Sequence, residues 1–239
     1  MSNPKIPLES GNFYHIYNRG INSCDLFQET SNYEHFMGLY DKYITPVADT
    51  FAWVLMGNHF HLLVRILYPN TEGFENLQCL TPDKRINQQF SNLFNAYTKA
   101  FNKRYNRTGS LFEHTFRRKL ISNKFYLKRV ILYIHNNPVH HGYCNHPVEY
   151  PWSSYLTCIS VKTTRLKRDA VMGWFDNQAN FKYLHQQKME IQEIEKWLDI
   201  SWHSNHQGFG NLEGLGYFCS SFIKFIAWQI RTKGKWCRC

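Results

Sequence analysis

Two histidines separated by one residue, His59 and His61, interrupt an otherwise apolar run, WVLMGNHFHLLVR, at residues 53–65. Successive side chains of a strand point to opposite faces, so the two imidazoles share one face and Phe60 takes the other. Neutral imidazole is the commonest protein metal ligand, and two of them on one rigid face can grip a divalent ion. An isolated His-x-His is more often a pair of polar residues on a half-buried strand, so a metal site needs a partner from elsewhere in the chain. Tyr133 and Asn137, one helical turn apart, would project toward the same place near a helix end. A tyrosine hydroxyl beside a metal could attack phosphorus, and an asparagine amide oxygen could serve as a third ligand. Tyr133 is nevertheless one of fifteen tyrosines, and on these residues alone a structural role is the commoner one.

The elements that must position these groups follow from periodicity. Residues 13–18 (FYHIYN) are aromatic and β-branched and run into Arg19-Gly20, as a strand runs into a turn. Tyr33, Phe36, Leu39, Tyr40 and Tyr43 fall at helical spacing, and Thr45-Pro46 closes that helix. Residues 51–56 form a second strand, Gly57-Asn58 a tight turn, and residues 59–67 an antiparallel return that starts with the histidines. Residues 69–82 are polar and turn-rich. Asp83 can cap the next helix, in which Ile86, Phe90, Leu93, Phe94, Tyr97 and Phe101 form an apolar stripe. After Thr108-Gly109-Ser110, residues 111–121 are expected as a strand or extended arm. Ser122 is expected to cap a helix reaching roughly His135, with its last turn distorted because Pro138 biases Asn137 away from helical geometry. Residues 139–155 are expected to wrap across the core, and residues 175–198 to be helical. His135, His140, His141 and His146 lack matched ligand spacing and are expected at the surface. The glycine-containing tail from Ser201 carries no functional signal.

The chain has a net charge of +10 and is 17% aromatic over 239 residues. Basic charge attracts phosphate, and exposed rings stack on unpaired bases, which favours a nucleic-acid partner. Seven basic residues between Lys99 and Lys119 are interleaved with Tyr97, Phe101, Tyr105, Phe112 and Phe116 and make the strongest such footprint, although a solvated basic face would look the same. No apolar run is long enough for a membrane span and the first residues lack the apolar core of a signal peptide, so a cytoplasmic protein is expected. Seven cysteines without repeated pair spacing read as reduced thiols.

Three separated motifs resemble one family. Residues 11–20 (GNFYHIYNRG), the HFH stretch at 53–65 and residues 133–155 (YIHNNPVHHGYCNHPVEYPWSSY) resemble the HUH single-tyrosine transposases, especially the REP-associated tyrosine transposases. The likeness spans roughly residues 10–156 and includes the connecting NKRYNRTGSLFEHTFRRKLI. It implies an α+β fold, an antiparallel sheet flanked by helices of ferredoxin-like or RRM-like architecture, in a domain of residues 1–156 followed by a helical or irregular extension over 157–239. It also implies that His59, His61 and Asn137 hold Mg²⁺ or Mn²⁺ and that Tyr133 is the nucleophile. Arg19 and Arg129 join Lys103, Arg104, Arg107, Arg117, Arg118 and Lys119 as the expected DNA-contacting cations. The implied reaction is metal-dependent cleavage and strand transfer of single-stranded or hairpin DNA through a 5′-phosphotyrosine.

Two other readings compete. One is a protein of the same fold that binds single-stranded or hairpin nucleic acid without cutting it; four catalytic-type residues together argue against it. The other is a zinc hydrolase, disfavoured because Leu62, Leu63 and Val64 follow His61 where a carboxylate or further histidine would be expected. Monomer or homodimer is left undecided by the sequence.

Overall fold

The computed structural model describes residues 6–68, 82–113, 116–187, 190–198 and 200, the side chains of Pro82 and Asp83 excepted. Strand β1 (Phe13–Arg19) leads into helix α1 (Thr30–Tyr43), strands β2 (Ala48–Leu55) and β3 (His59–Ile66), helix α2 (Pro82–Arg104), strand β4 (Arg117–Ile121) and helix α3 (Lys124–His140). Four short helices follow among the described residues: α4 (Tyr155–Ile159), α5 (Arg168–Trp174), α6 (Gln178–Gln186) and α7 (Ile191–Leu198). The sheet has the order β2-β3-β1-β4 and every neighbouring pair is antiparallel. This is the ferredoxin-like βαββαβ topology, as expected, with α3 added beyond it.

Alternation along the strands decides what each face does. Phe60, Leu62 and Val64 of β3 and Tyr14 and Ile16 of β1 are fully buried toward α1 and α2. Phe60 meets Phe36 of α1 and Phe94 of α2 at ring separations of 5.5 and 5.6 Å. Each such buried ring stabilises the fold by roughly 1.5–3 kcal/mol relative to exposure. The opposite face carries His15 and Tyr17 of β1 and His59 and His61 of β3, and α3 lies across it.

The turn that starts β3 is fastened from three directions. Met56 N–H donates to the His59 carbonyl at 2.7 Å, Gly57 accepts from the Leu26 and Phe27 amides, and Asn58 accepts from the Gly20 amide. His59 is therefore fixed as the first residue of its strand. The 139–155 segment covers the β2 edge: Leu55 donates to Trp152, Ser154 donates to Trp53, and the Tyr150 hydroxyl donates to the Leu55 carbonyl at 2.7 Å. That pairing satisfies strand-edge groups that would otherwise be open.

Several local expectations are corrected. Asn123, not Ser122, caps α3, its side chain accepting from the Phe125 amide. The helix also runs past His135 through Pro138 to His140. Proline removes one backbone bond, but Asn137 and Pro138 are buried against the sheet, and packing holds the last turn helical against the local bias. The 175–198 segment holds two helices rather than one: Asp176 takes a left-handed φ of 67° and Asn177 caps α6 anew, and α6 ends at Gln186 before α7 starts at Ile191. The rings interleaved with the basic run are core: Tyr97, Phe101, Phe112 and Phe116 are buried and cannot stack on bases. The capping side chain of Asp83, the loop at 69–81 and the tail from Ser201 lie outside the described residues.

Candidate active site

Tyr133 and Asn137 meet the histidine pair across the α3–β3 contact. Asn137 Oδ1 lies 2.9 Å from His59 Nε2, and the Tyr133 ring sits 5.3 Å from the His61 ring in an edge-to-face arrangement. The His59 and His61 rings are 5.2 Å apart. Four residues from two segments more than seventy positions apart thus converge, and the 1% exposure of Tyr133 places its hydroxyl inside the protein.

The contacts of His59 test whether these residues suit a cation. Burial holds the His59 pKa down at about 3, with the nearby His141 and Arg19 pushing the same way, so its imidazole is neutral and carries one N–H. Its Nδ1 lies 2.7 Å from Asn58 Oδ1 and its Nε2 faces Asn137 Oδ1, both of them amide oxygens. With the single proton on Nδ1 toward Asn58, Nε2 and Asn137 Oδ1 present lone pairs to each other, which suits a cation shared between them. His61 Nε2 is buried and has no hydrogen-bond partner among the described residues. The set fits a divalent ion. Among the described residues, no cluster of three or more His, Cys, Asp or Glu side chains forms a metal-binding group, so the amide oxygen is an essential part of that fit.

The hydroxyl of Tyr133 donates to Glu195 Oε1 of α7 at 3.3 Å. Burial, followed by the Glu195 charge, raises the tyrosine pKa well above 10. The rest of α7 follows the same face of α3: Trp197 stacks on Tyr126 with ring centroids 3.8 Å apart, and Glu193 pairs with Arg129 at 2.6 Å. Glu195 was not visible as a site residue in the sequence, since it lies 62 positions beyond Tyr133. His15 was also missed, though it stands in the FYHIYN strand; its Nε2 is 3.0 Å from His61 Nδ1.

His135 is a correction. It is fully buried, its Nδ1 2.9 Å from His185 Nε2 and its Nε2 2.8 Å from Ser154 Oγ. Pointing there, it turns away from Tyr133, in keeping with its place about 200° around the helix. His140 and His146 are half-buried, and His141 is exposed with its ring 5.1 Å from that of His59.

The basic residues divide between locations. Arg19 lies opposite His59 in the β1–β3 register and pairs with Glu113 at 2.6 Å. Arg117 and Lys119 share the His-x-His side of β4, whereas Arg118 takes the other side and reaches Asn87 Oδ1 at 2.6 Å. Lys103 and Arg104 are exposed at the end of α2, where Arg104 pairs with Glu29, and Arg107 lies beside the Phe101 ring. Arg19, Arg117, Lys119 and Arg129 therefore border the candidate site, and the α2 cations belong to the opposite layer.

These buried histidines make stability depend on pH. His15 is held at about 3 and His185 at about 4, both mainly by burial, against about 6.5 unfolded. The unfolded chain then binds protons that the folded chain refuses, so stability is complete above about pH 6.5 and falls toward pH 4, by about 1.4 kcal/mol per pH unit for each such group. Urea midpoints measured in EDTA should fall steadily from pH 7 to pH 5; a flat profile would contradict neutral burial.

The fold is thus a four-stranded antiparallel sheet with a helix laid across its His-x-His face. A solved structure with this fold is a REP-associated tyrosine transposase bound to a REP hairpin, matched with a TM-score of 0.50 over 66% of this chain and 86% of that chain at 17% identity. No protein-family profile and no curated protein matches the chain.

Proposed function

We propose that this chain is a metal-dependent, single-tyrosine enzyme that cleaves single-stranded DNA next to a hairpin or repeat and transfers the cut strand. The convergence of Tyr133 and Asn137 on His59 and His61 carries this reading, and the hairpin-bound transposase of the same fold supports the substrate class. His59, His61 and Asn137 would hold Mg²⁺ or Mn²⁺, which supplies positive charge to polarise the scissile phosphate. All three ligands are neutral, so none of that charge is cancelled. Tyr133 Oη attacks phosphorus, the bond to the 3′ oxygen breaks, and the products are a 5′-phosphotyrosine and a free 3′-hydroxyl. The phenolic proton goes to Glu195 Oε1, which already accepts it in a hydrogen bond, and the departing 3′ oxygen takes up a proton from solvent water. A second 3′-hydroxyl attacking the phosphotyrosine rejoins strands without ATP. The Arg19, Arg117 and Lys119 edge would track the strand backbone.

The test is a denaturing gel of the protein with end-labelled hairpins, in Mg²⁺, Mn²⁺ or EDTA. A metal-dependent adduct resistant to denaturation is expected. Tight binding without an adduct on a broad hairpin library would favour the recognition protein instead. One observation favours that alternative: the Tyr133 hydroxyl is buried and bonded to the Glu195 carboxylate, whose negative charge repels an incoming phosphate. Glu195→Gln should lower the adduct-forming rate by roughly 10²–10⁴-fold while hairpin binding is retained. An unchanged rate would remove Glu195 from the reaction.

A further inference from the structure

His15 lies in the middle of β1, completely buried, on the same sheet face as the histidine pair. It stands diagonally across from His61, since Leu63 is its direct partner, and this diagonal lets two long rings meet. The rings are nearly parallel, 10° apart, and His15 Nε2 is 3.0 Å from His61 Nδ1. A neutral imidazole has one N–H and one lone pair. The contact uses one of each, so there are two arrangements. If His15 donates, His61 carries its proton at Nε2 and cannot ligate there. If His61 donates from Nδ1, its Nε2 lone pair is free, on a ring packed against those of Tyr133 and His59. His15 Nδ1 and His61 Nε2 both lack partners among the described residues, so neither outer nitrogen fixes the choice.

We infer that His15 is a positioning residue for the metal, accepting the Nδ1 proton of His61 and thereby holding the His61 ring and its Nε2 lone pair in the ligating state. The inference rests on the metal reading proposed above. A cation at His61 Nε2 selects the arrangement in which His15 accepts, and His15 in turn keeps a buried His61 N–H from going unsatisfied. Ligating histidines commonly need such a partner for the second ring nitrogen, and its loss typically weakens the metal about 10–100-fold. The partner here is a second imidazole, supplied by the neighbouring strand, and the stacked Tyr17 ring 5.0 Å away holds it in plane.

Mn²⁺ binding to the full chain without DNA, followed by loss of the free-ion electron paramagnetic resonance signal, tests this. His15→Phe keeps ring volume and removes the acceptor, and it should weaken Mn²⁺ by about 10–100-fold. His15→Gln offers an amide oxygen at similar reach and should recover most of that affinity, and it serves alone if the phenylalanine variant does not fold. Nitrogen-15 spectra of the Mg²⁺-saturated wild type should show His61 protonated at Nδ1. Equal Mn²⁺ affinity in wild type and His15→Phe would overturn the role of His15 and leave the metal site standing, whereas His61 protonated at Nε2 in the Mg²⁺-saturated protein would remove His61 from the ligand set and overturn both. Wild type binding Mn²⁺ no better than His61→Ala would overturn both readings together.

Discussion

Tyr133→Phe is expected to abolish the covalent protein–DNA adduct while hairpin binding persists. The substitution removes one oxygen and nothing else from the reacting geometry. Losing a nucleophile that acts in concert with its neighbours typically costs well over about 10³-fold, and for an adduct no other product can substitute. The fold should survive. The Tyr133 ring keeps its edge-to-face contact with His61, and α7 keeps the Trp197–Tyr126 stack and the Arg129–Glu193 pair. The lost hydrogen bond to Glu195 is worth about 1 kcal/mol. Denaturing electrophoresis and a native binding assay on one preparation separate the outcomes. An adduct that persists in the phenylalanine variant would transfer the chemistry to another residue.

His135→Ala is expected to destabilise the protein by about 3–5 kcal/mol, because it opens a cavity and strands two buried polar partners at once. His135 connects α6 to the sheet: His185 lies on one side of its ring and Ser154 on the other, and Ser154 Oγ in turn accepts from the Trp53 amide of β2. Phe181 and Tyr155 pack against the same ring. Without it, His185 Nε2 and one side of Ser154 Oγ lose their bonds in a dry environment. Urea unfolding should show the drop, and limited proteolysis should cut first around α6. A loss below about 1 kcal/mol would mean that the network is not coupled to folding.

What the sequence determined is what neighbouring residues decide. Period-two alternation placed His59 and His61 on one face and Phe60 on the other, and the turn at Gly57-Asn58 set where that strand begins. Helical spacing put Tyr133 and Asn137 on one side of α3, and the apolar stripe of α2 gave the core helix. Resemblance to the HUH transposases supplied the ferredoxin-like arrangement that the strand order bears out. Tertiary structure decided the rest, because it depends on which distant surfaces meet. The rings at Tyr97, Phe101, Phe112 and Phe116 are aromatic in composition whether they face DNA or the core, and only packing assigned them to the core. Proline bias at Asn137 was real locally, yet burial of the turn overrode it. Nothing near His135 announces His185 fifty residues later, and nothing near Tyr133 announces Glu195. His15 shows the same limit within the sheet: its strand was legible, but its diagonal meeting with His61 arises only when β1 and β3 settle into register.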